Sequence, residues 1–107
     1  MKINSLLLLL LMTYAFPVTA ELDGAQLYIQ NCMVCHADDG TGAMPGVSDL
    51  TENKQWAALS VAQLVQLLKE GVNKPGATVI MPAKGGNPEL TDRELNAIVL
   101  FIRNELL

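Results

Sequence analysis

Cys32-Met33-Val34-Cys35-His36 places two thiols three residues apart, with an imidazole directly after the second. On a helical turn, residues three apart share a face. Both sulfurs can therefore reach one edge of a flat ligand, and the imidazole comes to lie over its plane. Counting rules against the commoner uses of such a pair. A structural zinc site takes four Cys or His ligands. The chain holds two Cys and one His, so zinc would have to recruit carboxylates such as Asp38 or Asp39. A redox-active Cys-x-x-Cys sits in a strand-helix context, and no convincing strand precedes Cys32. A plain disulfide stays open. What the spacing matches is covalent attachment of one haem c through Cys32 and Cys35, with His36 as an iron ligand.

Upstream of the motif the chain reads as an export leader. Lys2 supplies a short positive start, Leu6 to Met12 an apolar core running on to about Phe16, and Val18-Thr19-Ala20 a small-x-Ala cleavage pattern. This predicts a cleaved signal peptide over residues 1–20 and a single domain over 21–107. The apolar run is too short to span a bilayer, so no stable membrane insertion is expected after cleavage. No Cys stands directly after the cut, where Glu21 lies, which argues against a lipid anchor. Export fits the thiol usage, because free thiols outside the cytoplasm tend to be oxidised and both are taken up by the ring. A domain of under 90 residues buries a modest core and often needs a staple. A macrocycle bonded twice to the chain would supply one.

The chain carries 7 basic and 11 acidic side chains, and the leader removes only Lys2 from that balance. The acidic remainder disfavours nucleic acid and anionic membrane surfaces as partners.

Three main helices are predicted. The first starts near Asp23-Gly24, carries Ala25, Tyr28, Ile29 and Cys32 at helical spacing, and runs into the motif. The second begins at Ser60, where Ser60 and Gln63 form a capping-box pattern ahead of Val61, Leu64, Val65, Leu68 and Val72, with Gly71 as terminator. The third begins at Thr91, with Glu94 completing another capping box and Leu90 and Leu95 at the hydrophobic-staple positions. Its stripe is Leu95, Ile98, Val99, Ile102 and Leu106, with Arg103 near the negative end. Between the helices lie Gly- and Pro-rich loops over Asp38 to Asp49 and Asn73 to Pro88. Loops this long are unusual in so small a domain and make sense if they wrap a cofactor. The class is all-α.

A haem that carries electrons often has Met opposite its His. Met1 and Met12 leave with the leader, and Met33 lies between the thiols on the wrong side of the ring. Met44 and Met81 remain, and both precede Pro. Proline biases the preceding residue to an extended shape, so either thioether can project from a loop. The eight residues from His36 to Met44 span at most roughly 26 Å, so Met44 could pass around the ring only under strain. Met81 has ample slack. This favours Met81 and leaves Met44 open.

Taken with Gly24 and Tyr28 ahead of the motif, a Pro loop after it, Trp56, Met81-Pro82 and the terminal Leu90-Thr91-Asp92-x-Glu94 segment, the chain resembles a class I cytochrome c of the short bacterial monohaem type. The resemblance covers residues 22–107. It implies long loops wrapped around one covalent haem, with Gly24 and Tyr28 packed against the last helix near Ile98 and Phe101. It implies that the Pro45 carbonyl accepts the second ring N–H of His36, that Val47 and Leu50 line the haem pocket, and that Trp56 sits at the haem edge, where its N–H can bond a propionate. Met44 departs from the family, many of whose members carry Gly before that proline.

The resemblance further implies an exported, periplasmic, monomeric one-electron carrier with no catalysis of its own. Its donors and acceptors would be a periplasmic dehydrogenase, a cytochrome complex or a terminal oxidase. Two alternatives stay open: a dedicated electron-transfer subunit of a dehydrogenase or oxidase, and a haem sensor or small-ligand-binding protein with a labile sixth ligand.

Overall fold

The computed structural model describes residues 14–16 and 21–107. The leader expected over 1–20 therefore lies, apart from the exposed, irregular stretch 14–16, outside the described residues.

Five α-helices follow in chain order: α1 (Gly24–Asn31), α2 (Met33–His36), α3 (Lys54–Ala57), α4 (Val61–Glu70) and α5 (Asp92–Phe101). A 3₁₀ turn at Leu50–Glu52 precedes α3, and a wider π-type turn at Ile102–Leu106 extends α5. Among the described residues the only β pairing is a single antiparallel bridge, Val72 with Met81.

The caps are local chemistry. Asp23 accepts from the Gln26 N–H at the start of α1. Ser60 and Gln63 satisfy each other's backbone donors at the start of α4, and Thr91 and Glu94 do the same at α5. Leu90 and Leu95 are both buried at the entry to α5. α4 stops at Gly71, so Val72 is not the last residue of its apolar stripe, as its spacing suggests. It lies beyond the cap and forms half of the bridge to Met81.

The core is where α5 crosses α1 and α4. Tyr28, Leu64, Leu68, Leu95, Ile98, Val99 and Ile102 are buried there, each contributing about 1.5–3 kcal/mol of transfer free energy. Tyr28 meets Phe101 with ring centroids 5.2 Å apart, and Gly24 lies directly on the backbone of Ala97. Ile29, expected on the same face as Tyr28, is 45 % exposed instead. One residue along, it has turned about 100° around the helix. Arg103 does not act at the end of α5 through charge alone: its guanidinium donates to the Leu59 carbonyl and ties the C-terminal turn to the entry of α4.

Ala37, directly after α2, has φ 64° and ψ 168°, a region occupied almost solely by glycine. The Tyr28 hydroxyl holds it there, donating to the Ala37 carbonyl at 2.6 Å. The strain costs ~1–3 kcal/mol, against about 0.4–1 kcal/mol of unfolded-state entropy that a glycine would add. Strain outweighs entropy, so Ala37→Gly is expected to stabilise the protein by about 1 kcal/mol, raising Tm by roughly 4–8 °C for a domain this small. Thermal unfolding followed by circular dichroism checks this. An unchanged or lower Tm would mean that the alanine is not strained.

Candidate functional site

The chain breaks at Cys32, whose φ of −124° and ψ of −32° separate α1 from α2. That break swings Cys35 and His36 away from the axis of α1. The loop that follows then folds back on the motif. The Gly42 N–H donates to the His36 carbonyl at 2.9 Å, and the Ala43 N–H to the Cys35 carbonyl at 2.8 Å. The Leu50 N–H donates to the Gly40 carbonyl at 2.8 Å, which delivers Leu50 to the core. The motif is thus pinned by its own loop.

A cavity of about 960 Å³, counted to its opening on solvent, lies beside the motif. Cys32, Cys35 and His36 form one part of its wall, and Met81 belongs to the same wall. Val47, Leu50 and Trp56 also line the cavity, with Val72, Val79 and Ile80. No carboxylate lines the cavity, and Lys74 is the one charged side chain on its wall among the described residues. Met44 lies off this wall and is 41 % exposed.

Pro45 is placed differently from the expectation. It is exposed and does not line the cavity, and no hydrogen bond joins its carbonyl to His36. The reason is the turn it sits in. The Val47 N–H donates to the Met44 carbonyl at 3.3 Å, and Gly46 has φ 90°. Pro at the second position and a left-handed Gly at the third make a type II turn, which faces Gly46 toward Thr78 and Val79. Nδ1 of His36 is consequently buried with no partner, the one such side-chain nitrogen or oxygen among the described residues.

The electrostatics are those of a neutral site. Burial holds the His36 pKa below its ordinary value, which favours the neutral imidazole. Burial, and then the neighbouring Cys35, push the Cys32 thiol up to about 11. Burial likewise pushes Tyr28 up to about 12, so its hydroxyl keeps the proton it donates to Ala37.

These residues fit a haem. The two thiols are not joined to each other, and they line one cavity with an imidazole whose buried Nδ1 has no partner. Among the described residues no group of three or more His, Cys, Asp or Glu is placed to hold a metal by itself. If the two thiols bond a macrocycle, His36 and a thioether are the protein groups on this lining left to ligate its iron. Among the described residues no helix is long and apolar enough to cross a membrane.

Sequence reasoning missed three features of the site: the Val72–Met81 bridge, the contribution of Val79 and Ile80 to the wall, and α3, which carries Trp56. The Asn53 side chain accepts from the Trp56 backbone N–H to cap α3, and an Asn at the N-cap position was the available signal.

Comparison with known proteins agrees with this chemistry. The family described as cytochrome C oxidase, cbb3-type, subunit III matches residues 19–102. Cytochrome c-555 of Prosthecochloris aestuarii is 32 % identical over 90 residues, spanning 79 % of this chain and 87 % of that protein. The cytochrome c subunit of the quinone-dependent alcohol dehydrogenase of Gluconobacter oxydans (strain 621H) is 31 % identical over 85 residues, covering 75 % of this chain but 17 % of that subunit. Among solved structures, the KustC0563 c-type cytochrome superposes with a TM-score of 0.60 at 27 % identity, covering 80 % of this chain and all of that one.

Proposed function

This chain belongs to the short class I c-type cytochromes, and from that premise we propose that it is an exported one-electron carrier. The observation that carries the proposal is one cavity lined by two free thiols, by His36 with an orphaned buried nitrogen, and by Met81. Cys32 and Cys35 would bond the haem covalently, His36 and Met81 would ligate its iron, and Val47, Leu50 and Trp56 would line the pocket that holds it. When bound, the haem supplies a one-electron ferric/ferrous couple.

The chain's own part is to hold, orient and dry that group. The loop bonds from Gly42 and Ala43 fix His36 and Cys35. The mostly apolar lining and the burial of His36 favour the neutral imidazole, the form that ligates. With His36 and Met81 both committed to the iron, no position would be left for a substrate, so the proposal is a carrier without turnover of its own. Val34 and Ile80, 73 % and 58 % exposed, flank the cavity mouth and would serve as an apolar docking rim. Redox partners would meet it there in small, transient encounters. Periplasmic dehydrogenases, cytochrome complexes and oxidases are the proposed class, and the resemblance to a dehydrogenase cytochrome subunit supports the first.

The mature protein is proposed to begin at Glu21. Intact-mass measurement on periplasmic material is expected to give residues 21–107 plus one haem. A mass matching the disulfide-bonded chain without haem would overturn the assignment. Stopped-flow mixing with dehydrogenase and membrane fractions from the source cell is expected to show rapid one-electron exchange, with no peroxidase turnover.

A further inference from the structure

We infer that two glycine contacts, at Gly71 and Gly85, set the position of Met81 relative to the haem-attachment motif, so that these glycines are positioning residues for the sixth ligand. The inference rests on the reading of Met81 as that ligand.

α4 ends at Gly71, with φ 76° and ψ −178°, a backbone region open in practice to glycine alone. A Cβ there would lie 2.5 Å from the Met81 carbonyl oxygen, 2.7 Å from the Ala83 nitrogen and 3.0 Å from the Pro82 carbonyl carbon. All three are backbone atoms, so no side chain can rotate away. Immediately beyond, the Val72 N–H donates to the Met81 carbonyl at 2.9 Å and the Met81 N–H to the Val72 carbonyl at 3.0 Å. Residue 81 is thus pressed flat on the end of α4 and bonded there on both sides.

The other side of the same segment rests on α1. Gly85 has φ 63°, and a Cβ there would lie 2.8 Å from the Asn31 carbonyl oxygen. Asn31 is the residue before Cys32. Its Oδ1 accepts from Asn87 Nδ2 at 2.9 Å, while its own Nδ2 donates to the Leu27 carbonyl at 2.8 Å. The stretch from Met81 to Asn87 is therefore held between the end of α4 and the end of α1. The second contact reaches the residue from which the motif departs. Two close backbone approaches, each open only to glycine, fix the separation between Met81 and the segment carrying Cys32, Cys35 and His36.

The loop supplies its own control. Gly76 has φ 78°, but a Cβ there would meet nothing within 4 Å. Gly76→Ala therefore imposes the same kind of left-handed backbone cost in the same loop without displacing a neighbour. Holoprotein carrying Gly71→Ala is expected to lose or weaken the thioether-to-iron charge-transfer band in the ferric state. In the ferrous state it should bind carbon monoxide ~10-fold or more tightly than wild type, equivalent to about 1.4 kcal/mol less hold on the sulfur. Gly76→Ala should leave both properties at wild-type values. A wild-type band and affinity in Gly71→Ala, or equal changes in Gly76→Ala, would overturn the inference. Met81→Ala, run alongside, separates the two levels. If it keeps the band, the ligand assignment itself is wrong. If it loses the band while Gly71→Ala does not, only the positioning role fails. Should Gly71→Ala yield no holoprotein, Asn87→Ala takes its place, because it removes the bond to Asn31 without adding an atom. It must then shift both readouts in the same direction, and no shift there overturns the inference.

Discussion

Met81→Ala abolishes the weak thioether-to-iron band of the ferric protein and lowers its reduction potential, whereas Met44→Leu leaves both in place. That is the expected result, and the two methionines make it a sharp comparison. Both precede proline, so their backbones have the same extended bias. Their surroundings differ. Met81 is half-buried on the wall that also carries Cys32, Cys35 and His36, and its backbone is bonded twice to Val72. Met44 is exposed and does not line that cavity, although the type II turn it opens contributes Gly46 and Val47 to it. A thioether stabilises ferrous over ferric iron, so its loss moves the potential down, by a sizeable part of the roughly 0.8 V range over which axial ligands set haem potentials. Alanine also opens the sixth position, and the reduced variant should take up carbon monoxide readily. Visible and near-infrared spectra with a potentiometric titration of the three holoproteins check this. The reverse pattern, with Met44→Leu losing the band, would mean that the loop at 43–47 rearranges around the haem and that the ligand is Met44.

How much of this was legible beforehand depends on the range of the interaction concerned. The capping boxes at Ser60 and Thr91 are contained within four residues, and the structure forms both as their sequences indicate. The apolar faces of α4 and α5 repeat with the helical period, and Leu64, Leu68, Leu95, Ile98 and Val99 are buried accordingly. The attachment motif carries its chemistry in five consecutive residues. By contrast, the bridge from Val72 to Met81, the Asn31–Asn87 bond and the approach of Gly85 to Asn31 join residues 9 to 56 positions apart. No periodicity announces such contacts. Ile29 and Val72 show the limit from the other direction. Each has the right spacing for a buried stripe, but α1 turns Ile29 outward and Gly71 ends α4 before Val72 is reached. Pro45 shows a third kind of limit. Its role was implied by resemblance, and the Met44-Pro45-Gly46-Val47 turn sends it elsewhere.

Gly24→Ala sets local propensity against packing, and the two predict opposite signs. Gly24 opens α1, and alanine in a helix is favoured over glycine by roughly 0.5–1 kcal/mol. Were α1 an independent helix, the substitution would stabilise the protein. But a Cβ at this position would lie 2.1 Å from the Ala97 carbonyl oxygen, 2.8 Å from the Ala97 carbonyl carbon and 3.2 Å from the Phe101 Cβ. The first two atoms are backbone inside α5, so relief requires the helices to separate. Separation would loosen Tyr28 from Phe101 and open the core around Tyr28 and Ile98, its two most completely buried residues. Overpacking of a tight core costs typically 1–3 kcal/mol, occasionally more, which exceeds the propensity gain. The expected outcome is a net loss of about 2 kcal/mol, read as a lower denaturant midpoint with little change in slope. The loss should also reach the site, because α1 delivers Asn31 and Cys32, and the Tyr28 hydroxyl holds Ala37 directly behind His36. A stabilised Gly24→Ala protein would show that α1 and α5 do not cross at this point, and with that crossing would go the frame that places Cys32 and His36 beside Met81.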